Sequence, residues 1–385
     1  MGQNCAAVGI RKGMFANANY LAYMWKEILK EANSNQYFKD SDNIENAWQV
    51  DDFSPESGDL AFITVGTEFS ELRTHLARLK SPENSRKIYD FGFLALEDTE
   101  TSIHALDLCL EDLREKGLKC IVVSTSPDLI KGHYNALRNR QELVSVTSIS
   151  PGFDLQDNEF KWFNELITGE DGFLYRFALL GHQAYFCDQD SILAVQKMGF
   201  DTLRLGELRT RITVSEPLFR DSDIVDFRLS SIRSSDCPGS NDPSPNGLYA
   251  EEACQLMRYA GMGDHLFSIG ISGLPADSND VQSSLLCAQM IWHAWEGVSM
   301  KRDEMPGDQP ANFQRFLVDL ESQSDGIVFW KSTKTHRWWI ELPDEALTKF
   351  DKFKYLPCSY DDYLEACEGD LPDAWMKAYT RLGFE

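Results

Sequence analysis

Short runs of apolar, β-branched residues recur along the middle of the chain. Between them, apolar residues return at every third or fourth position. The runs predict strands at Leu60–Val65, Ile88–Leu94, Cys120–Ser124, Leu143–Ile149, Phe177–Leu180, Thr202–Leu205, Ile224–Leu229 and Leu266–Ile271. Several are apolar at consecutive rather than alternate positions, the pattern of parallel strands covered on both faces. Ser102–Lys116 sets Ile103, Leu106, Leu110 and Leu113 on one helical face, and Tyr249–Tyr259 and Ser284–Met300 behave in the same way. This alternation of strand and helix predicts one doubly wound α/β domain with right-handed crossovers.

The two ends differ from the middle. Residues 1–58 hold one helical pattern, about Ala16–Ala32, and then a polar acidic stretch. Residues 306–385 hold a hairpin pattern, Gly326–Ser332 and Arg337–Leu342 joined by Thr333-Lys334-Thr335-His336, and otherwise helical, aromatic sequence. The expected organisation is an N-terminal extension (1–58), an α/β body (59–305) and a C-terminal extension (306–385), with both ends packed on the body. The longest turn-rich segment, Ser234–Asn246, follows a strand. Ligands of open α/β sheets bind at the carboxyl ends of strands, so this loop is a candidate ligand-binding element.

Composition narrows the classes. Over 385 residues, 43% hydrophobic and 12% aromatic content suffices for a large core and excludes a disordered chain. The balance of 37 Lys and Arg against 61 Asp and Glu gives a net charge of −24, which argues against nucleic acid or an anionic membrane as partner. No apolar run reaches about 18 residues, so membrane insertion is not expected. The start lacks a secretory pattern. Met1-Gly2-Gln3-Asn4-Cys5 is faintly similar to an acylation site but has Ala6 where Ser or Thr is wanted. The nine cysteines are scattered, form no C-x-x-C pair, and include Cys109, Cys120, Cys254 and Cys287 within apolar segments. They read as buried reduced thiols of a cytoplasmic protein.

Two segments stand out. Ile224-Val225-Asp226-Phe227-Arg228-Leu229 is followed by Asp236-Cys237-Pro238-Gly239 and Asn246-Gly247-Leu248-Tyr249, and Val144–Leu155 forms the second. With the element order over roughly residues 60–300, they resemble the ureohydrolase family of arginase, agmatinase and formimidoylglutamase. The likeness is nearest to a divergent formimidoylglutamase-like branch, which carries a similar aromatic tail: Arg337-Trp338-Trp339 and Leu356-Pro357-Cys358-Ser359-Tyr360. The resemblance implies an α/β, three-layer α/β/α arginase-like fold with a central parallel sheet of about eight strands. In active members it implies two manganese ions at the carboxyl ends of central strands, and often self-association.

Carried over residue by residue, the metal motifs are degenerate. The family's Gly-Gly-Asp-His turn falls on Ser124-Thr125-Ser126-Pro127, so Pro127 stands in place of a histidine ligand. Asp-x-His-x-Asp falls on Ser150-Pro151-Gly152-Phe153-Asp154, and Asp-x-Asp on Asp226-Phe227-Arg228. Asp154 and Asp226 are thus two of six implied ligands that remain. The substrate-binding Glu-x-Asn-Pro falls on Gly273-Leu274-Pro275-Ala276, leaving Gly273 as a relic of that site.

Guanidine hydrolysis needs a metal-bound hydroxide, and two divalent ions need several carboxylates and imidazoles. Arg228 instead adds a positive charge on the same strand face as Asp226. At about 4 Å and an effective dielectric near 20, opposite unit charges attract by about 4 kcal/mol. The expectation is an internal ion pair between Arg228 and Asp154 or Asp226, with no cofactor, manganese being required only if the motif alignment is wrong.

The first functional reading is a non-catalytic ureohydrolase-fold protein acting by protein–protein interaction in a larger assembly. The others are a rebuilt amidine or guanidine C–N hydrolase using Asp154, Asp226 and His182, and a binding module for a small cationic ligand held by the two aspartates. His182 precedes Gln183, Tyr185 and Asp188, whereas His133 reads as a surface residue of a helix. Trp330, Trp338 and Trp339 are either core of the tail or an exposed docking surface.

Overall fold

The computed structural model describes residues 28–32, 38, 43–49, 53–95, 98–140, 142–155, 161–168, 172–275, 280–302, 304–307, 310–320, 323–343 and 354–382. The helix expected over Ala16–Ala32 lies outside them up to residue 27, as does the candidate acylation site. Nine parallel strands form the body: β1 (Ile44–Asn46), β2 (Leu60–Val65), β3 (Ile88–Leu94), β4 (Lys119–Ser124), β5 (Val144–Ile149), β6 (Leu174–His182), β7 (Asp201–Arg204), β8 (Ile224–Arg228) and β9 (Ser268–Ser272). Their order is β1-β3-β2-β4-β9-β8-β5-β6-β7, with every neighbouring pair parallel. All eight expected strands are present. The edge strand β1 is additional, and its three residues are too few to show a period.

Helices cover both faces. They are α1 (Ser70–Arg78), α2 (Thr99–Glu115), α3 (Ile130–Arg138), α4 (Lys161–Thr168), α5 (Gln189–Lys197), α6 (Leu205–Thr210), α7 (Glu216–Arg220), α8 (Ala250–Gly261) and α9 (Val281–Met300). Central strands such as β2 and β8 are buried at every position because side chains of both faces enter apolar cores. The helices α8 and α9 cross at glycines: a Cβ on Gly261 would lie 2.1 Å from the Ala294 carbonyl oxygen, and one on Gly297 would lie 2.4 Å from that of Arg258. This is the doubly wound α/β arrangement that the alternation of apolar runs and helical patterns predicts, in the three layers that the resemblance implies.

The edge of the sheet is held by a buried charge pair. Arg73 of α1 donates from Nε and Nη2 to the two carboxylate oxygens of Asp90 on β3, both at 2.9 Å, and again from Nη2 to the Gly92 carbonyl at 2.9 Å. Gly92 has φ 80°, and a Cβ there would strike the Lys30 carbonyl oxygen at 2.1 Å. Glycine is required where the chain passes that close.

After α9, the chain forms a second sheet, antiparallel, in the order β10 (Phe313–Leu320), β11 (Gln323–Ser332), β12 (Trp338–Glu341) and β13 (Tyr355–Cys358). Two helices follow, α10 (Tyr360–Glu368) and α11 (Asp373–Leu382). The expected hairpin is β11–β12, and β10 and β13 extend it on each side. Arg220 of α7 fixes this sheet to the body. Its Nη2 donates to the carbonyls of Trp338 (3.0 Å) and Cys358 (2.9 Å), and its guanidinium lies 4.7 Å from the Trp339 ring. Lys377 of α11 adds a bond to Asp201 on β7 at 2.9 Å.

These contacts decide between the two readings of the tryptophans. Trp338 and Trp339 are buried, and Trp330 is half-buried with its indole N–H donating to Glu341 at 2.8 Å. Trp338 and Trp339 are therefore core residues, not an open docking surface. The buried Arg220 needs the aromatic face and the carbonyls that this strand presents.

Replacing Asp90 by Ala leaves Arg73 as an uncompensated buried cation. The loss expected in urea unfolding is about 3–5 kcal/mol. Arg211→Ala, which breaks the exposed pair with Asp361, is expected to change stability by less than about 1 kcal/mol. Equal effects from both would refute the role given to the buried pair.

Candidate functional site

The carboxyl ends of β5, β6 and β8 open onto a cleft of about 780 Å³ lined by Ser150, Gly152, Asp154, Arg228, Asp242 and the segment Tyr185–Asp188. Parallel register sets Ser148 of β5 beside Asp226 of β8, and the Ser148 hydroxyl donates to Asp226 Oδ2 at 2.8 Å. Arg228 follows two residues later on the same strand face, with its Nε 3.6 Å from Asp226 Oδ2. Both side chains are buried. Burial pushes the Asp226 carboxyl up, opposed by Arg228 and by the Ser148 hydrogen bond. The expected internal ion pair is present between Arg228 and Asp226.

The wall beside this pair is built from backbone. Ser150 donates its hydroxyl proton to the Gly152 carbonyl at 2.8 Å. Gln183 N–H donates to the Pro151 carbonyl at 2.8 Å, and Asp188 N–H to that of Phe153 at 3.0 Å. A Cβ on Gly152 would lie 2.7 Å from the Phe186 carbonyl oxygen, so a larger residue would push this wall apart. Tyr185 and Phe186 stand at the mouth, 65% and 50% exposed.

The other half of the carboxyl edge is covered. The loop Ser234–Asn246 reaches over β4 and β9, where Asn241 donates from its backbone to the Gly273 carbonyl (3.1 Å) and from Nδ2 to that of Thr125 (2.9 Å). Its root is tied by Asp236, which accepts from Arg233 Nε and from the Ala250 N–H, each at 2.9 Å. The loop expected to bind a ligand covers this half through those bonds and also lines the cleft with Asp242, Pro243 and Ser244.

The cleft therefore brings together Ser150, Gly152, Asp154 and Arg228, with Asp226 beneath Arg228. Pro127, Gly273 and His182 do not line it. Pro127 starts a single 3-10 turn capped by Ser126, and Gly273, at φ 94°, donates its N–H to the Ser124 carbonyl at 3.1 Å. His182 ends β6 beside Arg204, and burial together with Arg204 pushes its imidazole down to about 4.

His133, expected on the surface, is buried and has its Nδ1 2.8 Å from the Ser268 hydroxyl. Its helix packs against β9, where Gly270 leaves room for the ring. Burial pushes its imidazole down to about 3. Phe186 is a cleft residue that the motifs did not indicate, while Asp242 belongs to the loop Ser234–Asn246 expected to bind a ligand. Asp242 is brought in only by the folded loop.

Several solved structures share this architecture. A Trypanosoma cruzi formiminoglutamase with Mn2+ superposes with a TM-score of 0.59 at 19% identity, covering 71% of this chain and 100% of that one. The formimidoylglutamase of Bacillus subtilis gives 0.57 at 18% identity, over 73% of this chain and 99% of its own. An agmatine ureohydrolase of Thermoplasma volcanium gives 0.50 at 12%, over 65% and 96%. No family model and no curated protein matches the sequence. The fold is thus the arginase-like fold of the ureohydrolases, as the resemblance implied. The second antiparallel sheet at the C-terminus is part of this chain's structure as well.

The expectation that no cofactor is used is corrected by the same comparisons, because manganese is named for solved structures that share the fold. The residues at the implied positions can be tested against that metal. Asp226 is engaged by Ser148 and Arg228, and Arg228 sets a buried positive charge beside it. Pro127, Ser150 and Gly152 supply neither carboxylate nor imidazole. This donor set does not fit a two-ion cluster. Among the described residues, no group of three or more His, Cys, Asp and Glu side chains is placed to hold a metal ion.

His133 makes stability depend on pH with a defined sign. Below about pH 6.5 the unfolded chain gains a proton that folded His133 refuses until about pH 3, so stability falls as pH falls. From pH 7 to 5 this costs about 2 kcal/mol. Asp107, whose carboxyl burial raises to about 6, acts in the opposite direction in both wild type and variant. His133→Gln is expected to lose about 2 kcal/mol less than wild type between pH 7 and 5 in urea unfolding. An equal loss in both proteins would contradict a neutral buried His133.

Proposed function

We propose that this chain acts through contacts with another protein, as a non-catalytic form of the arginase-like fold within a larger assembly, and not by hydrolysing a C–N bond. The observation that carries this reading is Arg228. Its guanidinium lies buried at the cleft floor against Asp226, where the resemblance implies a carboxylate ligand. A cationic substrate such as a guanidine or amidine would meet that buried charge as repulsion, set against the carboxylates of Asp154, Asp188 and Asp242 in the cleft wall, and a general base would have to come from those carboxylates. His182, the one histidine considered for that role, lies outside the cleft. The exposed aromatic pair Tyr185 and Phe186 at the mouth is a surface suited to a partner.

A cytoplasmic setting belongs to the proposal and is supported by the cysteines of the described residues, all free thiols. Among those residues no helix is long and apolar enough to cross a membrane. Self-association also remains part of it, resting on the resemblance alone.

The competing reading is a C–N hydrolase, because the solved structures sharing the fold are named as such. The two are separated by supplying purified protein with manganese and then with formimidoylglutamate, agmatine and arginine in turn. Product release is expected to stay at the rate of heat-denatured protein. Turnover that Asp226→Asn abolishes would overturn the proposal.

A further inference from the structure

In the second sheet, β13 packs on α7 of the body and β10 is the strand at the far edge. Among the described residues, no strand pairs with the outer side of β10. This strand keeps one register with β11 from Phe313 to Val318 and departs from it only beyond that point. A regular edge strand of this kind is a template for another strand. Its side chains divide by face. Phe316 and Val318 pack on the core that the sheet shares with α10 and α11, and the Phe316 ring lies 5.5 Å from that of Tyr363. Arg315, Leu317 and Asp319 occupy the alternate positions of the other face and are exposed, Leu317 by 54%.

The direction of the backbone groups follows from two hydrogen bonds. Thr333 N–H donates to the Asn312 carbonyl at 2.9 Å, one step beyond the pairing of Phe313 with Ser332. Antiparallel partners alternate between bonded and non-bonded pairs, so Gln314, Phe316 and Val318 turn their N–H and C=O groups to β11. Arg315 and Leu317 turn theirs to the outer side. On the other side of β11, Ser332 N–H donates to the Arg337 carbonyl at 2.9 Å, which sets the same phase.

We propose that β10 pairs antiparallel with β10 of a second copy of this chain, joining the two second sheets into one across a two-fold axis at Leu317. The exposed row is complementary to itself in that register. Each Leu317 meets its counterpart at a bonded position, and each Arg315 meets the Asp319 of the other copy. Centring on Phe316 or Val318 would face backbone groups that already serve β11. Centring on Arg315 or Asp319 keeps the phase but sets like charges opposite each other. Two chains of net charge −24 repel, so a contact between copies belongs where the local charge cancels, as it does from Arg315 to Asp319. The contact is isologous, as a two-fold dimer requires. β10 lies outside the segments that carry the ureohydrolase resemblance, so this dimer is not implied by that likeness and is independent of the reading given for Arg228.

The test is sedimentation equilibrium of the full-length protein over a wide concentration range. A reversible monomer–dimer equilibrium is expected. Arg315→Glu and Asp319→Arg each set like charges opposite one another twice per dimer and should weaken it about tenfold or more. The variant carrying both changes restores opposite charges and should dimerise almost as the wild type does. Both positions are exposed, so the monomers are expected to stay folded. A monomer at every concentration would overturn the proposal and leave this edge to a strand of a different protein. A dimer of unchanged affinity in Arg315→Glu, or a double variant as weak as the single ones, would also overturn it.

Discussion

The pairing of Arg228 with Asp226 at the end of β8 is the constraint on which the cleft depends. Both charges are buried, so breaking the pair by removing one partner costs stability. Ser148 adds a hydrogen bond that is available only because β5 lies beside β8 in parallel register. Strand order, register and buried charge are therefore one arrangement. The wall of Ser150 to Asp154 and the mouth at Tyr185 and Phe186 are fastened to that arrangement by backbone hydrogen bonds.

Buried arginines recur as fasteners elsewhere. Arg73 ties α1 to β3, and Arg176 joins β6 to Asp201 and Asp221 at 2.9 and 3.1 Å. Arg220 holds the second sheet by two carbonyls and an aromatic face. A planar guanidinium offers five donors and can satisfy carboxylates and carbonyls from several elements at once. Arg228 uses the same device at the edge where the ureohydrolase resemblance implies metal ligands.

The sheet was legible because strands buried on both faces leave nearly continuous apolar runs, as at Leu60–Val65 and Cys120–Val123. β1 was not, because three residues carry no period, and β10 was not, because its exposed edge alternates irregularly. The Asp226–Arg228 pair followed from two-residue spacing on one strand, a purely local property. The positions of His182 and His133 did not follow, since which face of an element meets the core depends on neighbours distant in sequence. The loop Ser234–Asn246 shows the same limit: its turn residues marked a loop, while its role as a cover comes from bonds to Thr125 and Gly273. The tryptophans of the second sheet were left between core and surface for the same reason, and Arg220, far away in the chain, decides for Trp338 and Trp339.

The most direct test is a crystal structure of the full-length protein grown with manganese, with anomalous scattering used to locate the metal. The Arg228 guanidinium is expected to stay against Asp226 at the cleft floor. A guanidinium swung away, with Asp226 bridging two manganese ions in its place, would contradict that expectation.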